Sequence, residues 1–164
     1  MTDLLKVVTE ATERYVAARD ELRKLGKEAG SQVFLAFMKK YPEVQAITWT
    51  QYTPYFNDGD ACVFGVNDLV IHIKEVVDKY LSDSELADEE LKTFDDYIDY
   101  TYGWYETADE NADYLNHHEN LRNDFLVLRE LMHGNDEFAL GAFGDHVRVL
   151  VTQDNVEVEE YDHD

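Results

Sequence analysis

The sequence predicts an α+β domain: an antiparallel sheet of about four strands, made from two hairpins, packed by long helices and carrying an acidic, mainly helical insertion. Three observations predict it. Apolar residues recur at helical spacing from Leu4 to Tyr41 and again from Leu115 to Met132. They alternate with period two on either side of Pro54 and again around Asp154-Asn155. A stretch rich in both acids and aromatics, residues 82–120, separates the two patterns. At 164 residues the chain is a single domain, 1–164, able to bury roughly two thirds of its unfolded surface.

Residues 1–41 read as N-terminal helices. Leu4, Val8, Ala11, Tyr15, Ala18, Leu22 and Leu25 recur at alternating steps of four and three, the seam of a long amphipathic helix that Thr2 or Asp3 can cap. Gly26 and Gly30 are expected to interrupt it. Ser31 then caps a second helix, whose stripe of Val33, Phe34, Phe37, Met38 and Tyr41 ends before Pro42. The seam makes the first helix a candidate coiled-coil element and the chain a candidate homodimer. The alternative is a helix packed on its own domain, since three heptads are the lower limit for a coiled coil.

From Val44 the period is two, with Val44, Ala46, Thr48, Thr50 and Tyr52 on one side and Gln45, Ile47, Trp49 and Gln51 on the other. Pro54 cannot donate to a ladder, Asn57-Asp58-Gly59-Asp60 is turn chemistry, and Cys62, Phe64 and Val66 restart the alternation, so 44–73 reads as a first hairpin. A calcium loop would need acids at alternate positions, a following glycine and a distal glutamate. Residues 57–68 do not supply that spacing, and no metal or cofactor is implied.

Leu115, His118, Leu121, Phe125, Leu128 and Met132 mark a helix over 114–133, with His133 in its last turn and Gly134 at the C-cap. Residues 135–145 read as a loop or a short helical turn. Val147, Val149 and Val151, the Asp154-Asn155 turn, and Val156 and Val158 then form a second hairpin over 146–161. Two hairpins and long helices give an antiparallel sheet with helices on one face.

The stretches WTQYTPYFNDGD at 49–60, FGDHV at 143–147 and VEVEEYDHD at 156–164 together resemble an uncharacterised family of small phage and bacterial proteins. The resemblance covers the two hairpins and not the acidic middle. It implies a phage or mobile-element setting, with no activity and no functional residues.

Charge is the extreme property. The chain carries 36 acids against 14 Lys and Arg, a net of −22. Residues 1–43 hold seven acids and eight bases, whereas 44–164 hold 29 acids and six bases. Direct binding to nucleic acid is repelled by such a surface, because that affinity comes from Lys and Arg neutralising phosphates. A cationic partner is the natural complement.

Residues 82–120 contain 13 acids and the single base Lys92, yet Leu91, Phe94, Tyr97, Ile98, Tyr100, Tyr114 and their neighbours supply too much apolar material for a disordered tail. On helices, Asp88 and Glu89, then Asp95, Asp96 and Asp99, then Asp109, Glu110 and Asp113 place carboxylates in rows about 5–6 Å apart at Cβ. Rows of that pitch resemble the phosphates of a nucleic-acid strand. The reading is therefore a DNA mimic. These acids, with Tyr97 and Tyr100, occupy the cationic groove of a DNA- or RNA-binding enzyme, as anti-restriction and anti-CRISPR phage inhibitors do. The bland alternative is a solvated face. A third reading is a plain interaction module that dimerises through the first helix and docks a partner on Tyr52, Tyr55 and Phe56.

An enzyme is not expected. HExxH, GxSxG, P-loop and CxxC patterns are absent from the sequence. His118 lies on an apolar stripe and reads as a satisfied, partly buried histidine, and His117 and Glu119 do not share a helical face. Cys62 reads as inert packing within a strand. With no cationic leader and no apolar run of 18 residues, neither export nor membrane spanning is indicated, and a soluble cytoplasmic protein is expected.

Overall fold

The computed structural model describes residues 2–85, 90–103 and 105–163, and of Thr2, Tyr102, Gly103, Tyr105 and Glu106 the backbone alone. The chain runs α1 (Thr2–Lys40), β1 (Val44–Tyr52), β2 (Gly65–Val66), β3 (Val70–Ile73), α2 (Lys74–Asp83), α3 (Phe94–Gly103), α4 (Tyr105–His117), α5 (Glu119–His133), α6 (Asp136–Phe143), β4 (Val147–Thr152) and β5 (Val156–Glu160). It is α+β, with an antiparallel sheet of five strands among the described residues.

α1 continues through Gly26 and Gly30, which corrects the expected break and the Ser31 cap. The glycines serve a helix crossing instead. A Cβ on Gly26 would lie 2.1 Å from the carbonyl oxygen of Phe138, and one on Gly141 would lie 1.9 Å from that of Arg23. Two backbones this close exclude any side chain, so glycine's cost of about 1 kcal/mol within a helix is outweighed by packing. The partner across this contact is α6. The stretch expected as a loop or a short helical turn is thus a helix of 8 residues that buries Phe138, Ala139 and Phe143.

β1 is the centre of the sheet. One edge pairs with β4, from Ala46↔Thr152 to Gln51↔Val147, and β4 pairs with β5, so the second hairpin forms as read. The other edge pairs with β3 at Val44–Thr48 and with β2 at Gln51–Tyr52, so five strands replace the expected four. Between β1 and β2, Asp58 and Gly59 have φ of 43° and 93°, and the Asp60 N–H donates to the Asn57 carbonyl at 2.7 Å. Two consecutive left-handed residues make a turn that Asp-Gly fits. Cys62 and Phe64 do not join a strand, and Cys62 is exposed rather than packed among apolar neighbours.

The helices lie on both faces of the sheet, not one. On the first face Ile47, Trp49, Val149 and Val151 share a core with Phe34, Met38, Phe125, Met132 and Phe143. Phe34 stacks on Trp49 with centroids 4.8 Å apart, and Phe143 meets the indole edge-on at 5.1 Å. On the second face Ala46 and Leu150 pack against Phe94 and Tyr97 of α3. The acidic insertion therefore supplies the second helical layer. The helix expected over 114–133 is two, because His118 leaves helical geometry at φ −125° and ψ 78°. His118 is exposed and stacked on Tyr114 at 3.8 Å, not buried on the stripe, while Leu121, Phe125, Leu128 and Met132 are buried as read.

Candidate partner-binding surface

The acidic helices rest on an aromatic scaffold. Tyr97 and Tyr100 are each 1% exposed, so they stand under the acids as core and cannot themselves touch a partner, which corrects their assignment as contact residues. Burial pushes the Tyr100 hydroxyl up to about 12, and it accepts a hydrogen bond from Asn111 Nδ2 at 3.3 Å. Asn111 also donates to the Thr107 carbonyl at 2.9 Å and accepts from the Ile73 N–H at 2.9 Å. One buried amide thus pins α4 to α3 and to the end of β3, fixing where the α4 carboxylates stand.

The acids themselves divide by task. Asp96 accepts N–H groups from Lys92 at 2.9 Å and Thr93 at 2.7 Å, while Thr93 Oγ1 accepts the Asp96 N–H at 3.2 Å. This reciprocal arrangement is a capping box that starts α3. The backbone donors of Thr93 and Lys92 hold the Asp96 carboxyl below its usual range. Asp95 receives a two-pronged contact from Arg148, at 2.7 and 3.3 Å, and Arg148 also reaches Glu159 at 2.8 Å. Asp99, one turn on from Asp95, is exposed. The predicted α3 row therefore reduces to Asp95 and Asp99, with Asp95 partly neutralised from within.

On α4, Asp109 and Asp113 are exposed, and Glu110 is ion-paired with Lys79 of α2. That pair lays α2 beside α4 and brings up acids the sequence reading passed over. Glu75 and Asp78 of α2 are exposed, and Glu43 and Glu75 both face Tyr114, whose hydroxyl is pushed up first by burial and then by these two charges. The two lysines of α2 mask its acids in a simple charge count. The usable signal was the apolar spacing of Val76, Val77 and Tyr80, which leaves Glu75, Asp78 and Lys79 facing outward. Asp88 and Glu89 lie outside the described residues.

A second cluster joins residues of three separate stretches, 49–60, 143–147 and 156–163. The His163 ring stacks on Tyr52 at 3.8 Å and on Tyr55 at 4.4 Å, Tyr55 also stacks on His146 at 4.9 Å, and His146 Nδ1 lies 2.8 Å from His163 Nε2. Asp145 accepts from the Thr53 N–H and hydroxyl, both at 2.7 Å, and from the His146 N–H at 2.8 Å. Burial alone would raise the Asp145 carboxyl, but these donors outweigh it and hold it low. The two imidazoles spend a nitrogen each on one another and their faces on tyrosines, so the cluster reads as a clamp for the 161–163 tail. Tyr161 and His163 were missed because a terminal YDH carries no periodicity. Among the described residues no group of three or more His, Cys, Asp or Glu is arranged to hold a metal ion.

No protein-family model, curated protein or solved structure matches the chain. No helix among the described residues is long and apolar enough to cross a membrane.

Proposed function

We propose that the protein is an acidic inhibitor that occupies the cationic groove of a DNA- or RNA-binding enzyme, presenting carboxylates where that enzyme expects phosphates. The observation that carries this reading is the set of exposed acids on the paired helices α2 and α4. Glu75, Asp78, Asp109 and Asp113 are exposed on two helices locked side by side by Lys79–Glu110 and by the buried Asn111 amide. Like charges held on a rigid frame meet their mutual repulsion during folding. A cationic groove then gains the attraction without ordering a flexible ligand. Four of the six bases beyond residue 43, Lys79, Lys92, Arg129 and Arg148, are paired with acids of the chain itself, which leaves the outward field strongly negative.

The test is capture from a nuclease-treated bacterial lysate with the wild type and with Glu75→Gln, Asp78→Asn, Asp109→Asn and Asp113→Asn combined. A nucleic-acid-binding protein retained by the wild type, displaced by duplex DNA and lost by the variant supports the proposal. Equal retention by both proteins contradicts it. Asp96 is left unchanged, because its neutralisation would remove a helix cap as well as a charge.

A second reading rests on a different surface. Tyr55, Phe56 and Val63 are 62%, 77% and 66% exposed around the Asp58-Gly59 turn, an aromatic patch suited to a protein partner without reference to charge. A complex through that patch would survive high salt and be lost on Phe56→Ser.

A further inference from the structure

Residues 3–18 of α1 are exposed throughout, and the helix first meets the rest of the domain near Arg19, which reaches Glu137. This projecting segment carries Leu4 at 71%, Val8 at 56% and Tyr15 at 68% exposure on the heptad seam, and the seam continues past Arg19 through Leu22 at 37% and Leu25 at 45%. α6 crosses α1 through Gly26 and Gly30, to one side of that seam, and leaves it open. Beside it, Tyr15, Ala18 and Leu22 form one wall of a groove of about 310 Å³, with Gly134–Glu137 as the other.

We propose that this seam is filled by α1 of a second copy, as an antiparallel two-helix coiled coil centred between Val16 and Ala17. Charge selects the occupant. Residues 3–28 hold six acids and six bases, a neutral stretch on a chain of net −22, so α1 is where two copies meet without their acidic surfaces opposing one another.

Side-chain size and flanking charge select the direction. With the antiparallel centre, Tyr15 faces Ala18 of the second copy, Ala11 faces Leu22 and Val8 faces Leu25, so two of the three layer types set alanine against a large residue. Arg14 then flanks the second copy's Glu21, twice by symmetry. A parallel in-register pair instead stacks Ala11 on Ala11, Ala18 on Ala18 and Tyr15 on Tyr15, and sets Arg14 beside Arg19. The antiparallel overlap of residues 8–25 gives a contact about 27 Å long at 1.5 Å per residue. The groove beside Tyr15 and Leu22 then receives side chains from the middle of the partner helix.

The experiment is sedimentation equilibrium of the full chain. A dimer, twice the 19.1 kDa chain mass, is expected. It should form at or below about 100 μM. Leu22→Asp should weaken it at least about tenfold without loss of helical signal, because the position is exposed. Arg14→Glu should weaken it by about tenfold, and adding Glu21→Arg should restore it, because both substitutions act on one pair across the antiparallel interface. A monomer at that concentration overturns the proposal. A dimer tightened by Arg14→Glu overturns the antiparallel register, since that change would relieve the parallel Arg14–Arg19 contact. A monomer that co-sediments with phosphatidylcholine vesicles assigns the seam to a lipid surface and overturns it as well.

Discussion

His72 shows what one residue can conceal. It lies in β3 with no solvent exposure, its Nε2 is 2.9 Å from Thr48 Oγ1, and it is covered by the rings of Tyr97 and Tyr100 at 4.7 and 5.7 Å. Its Nδ1 has no hydrogen-bond partner among the described residues. The neutral tautomer with the proton on Nε2 leaves only an acceptor unsatisfied there, a smaller cost than a buried N–H. Burial lowers its pKa to about 3 from the ordinary 6.5, so the fold holds it neutral. An unfolded chain takes up a proton below about 6.5 that the folded chain refuses until about 3, and stability is therefore lost as pH is lowered through that window. His72→Gln removes the titration while keeping a donor for Thr48. The difference in unfolding free energy between wild type and variant should be flat above about pH 7 and shift against the wild type by on the order of 4 kcal/mol between pH 6.5 and 3. Urea titrations at a series of pH values read this, and parallel curves would show that His72 is charged in the fold. Nothing in the sequence marked this histidine, because one polar residue in Leu69-Val70-Ile71-His72-Ile73 does not disturb an apolar run.

At the scale of elements, the sequence was legible wherever one period ran uninterrupted. β1, the β4–β5 hairpin and the buried stripe of α5 follow directly from alternation or from the three-and-four step. The α1–α6 pair was not legible, because Gly26, Gly30 and Gly141 carry opposite meanings locally and globally. Propensity makes each a helix interrupter, whereas the crossing needs each to lack a side chain. Gly141→Ala should therefore destabilise the domain by about 2–3 kcal/mol, although alanine is the better helix former by about 1 kcal/mol. Chemical denaturation decides between the two signs, and a more stable variant would mean that α1 and α6 do not touch at Arg23. The single helix over 114–133 failed for a related reason. His118 fits the apolar stripe by spacing, but its backbone turns out of the helix, and its ring lies on Tyr114 instead of in the core. Of the candidate acids, spacing alone could not tell that Asp96 caps a helix and Asp95 pairs with Arg148, since both partners lie outside the pattern that defines the row.

At the scale of the whole molecule, charge governs behaviour. With a net of −22, of which the segment beyond residue 43 carries all of the excess, the folded chain is under self-repulsion that salt relieves. Raising sodium chloride from about 20 to about 500 mM should increase Tm by on the order of 5 °C, equivalent to about 1–2 kcal/mol. A Tm that falls over the same range would show that internal pairs such as Arg148–Asp95 and Lys40–Asp124 outweigh the repulsion. The acidic middle has two roles in this frame. Its buried tyrosines close the second face of the sheet, and its carboxylates, with those of α2, give the surface its field.

The most direct measurement is the salt dependence of affinity between the purified protein and the nucleic-acid-binding protein that the proposed function expects it to capture. The expected Kd rises at least about tenfold between about 50 and about 300 mM salt, with a shallower slope once Glu75, Asp78, Asp109 and Asp113 are neutralised. A Kd indifferent to salt, with the same slope in the variant, would contradict it and place the contact on the Tyr55–Phe56 patch.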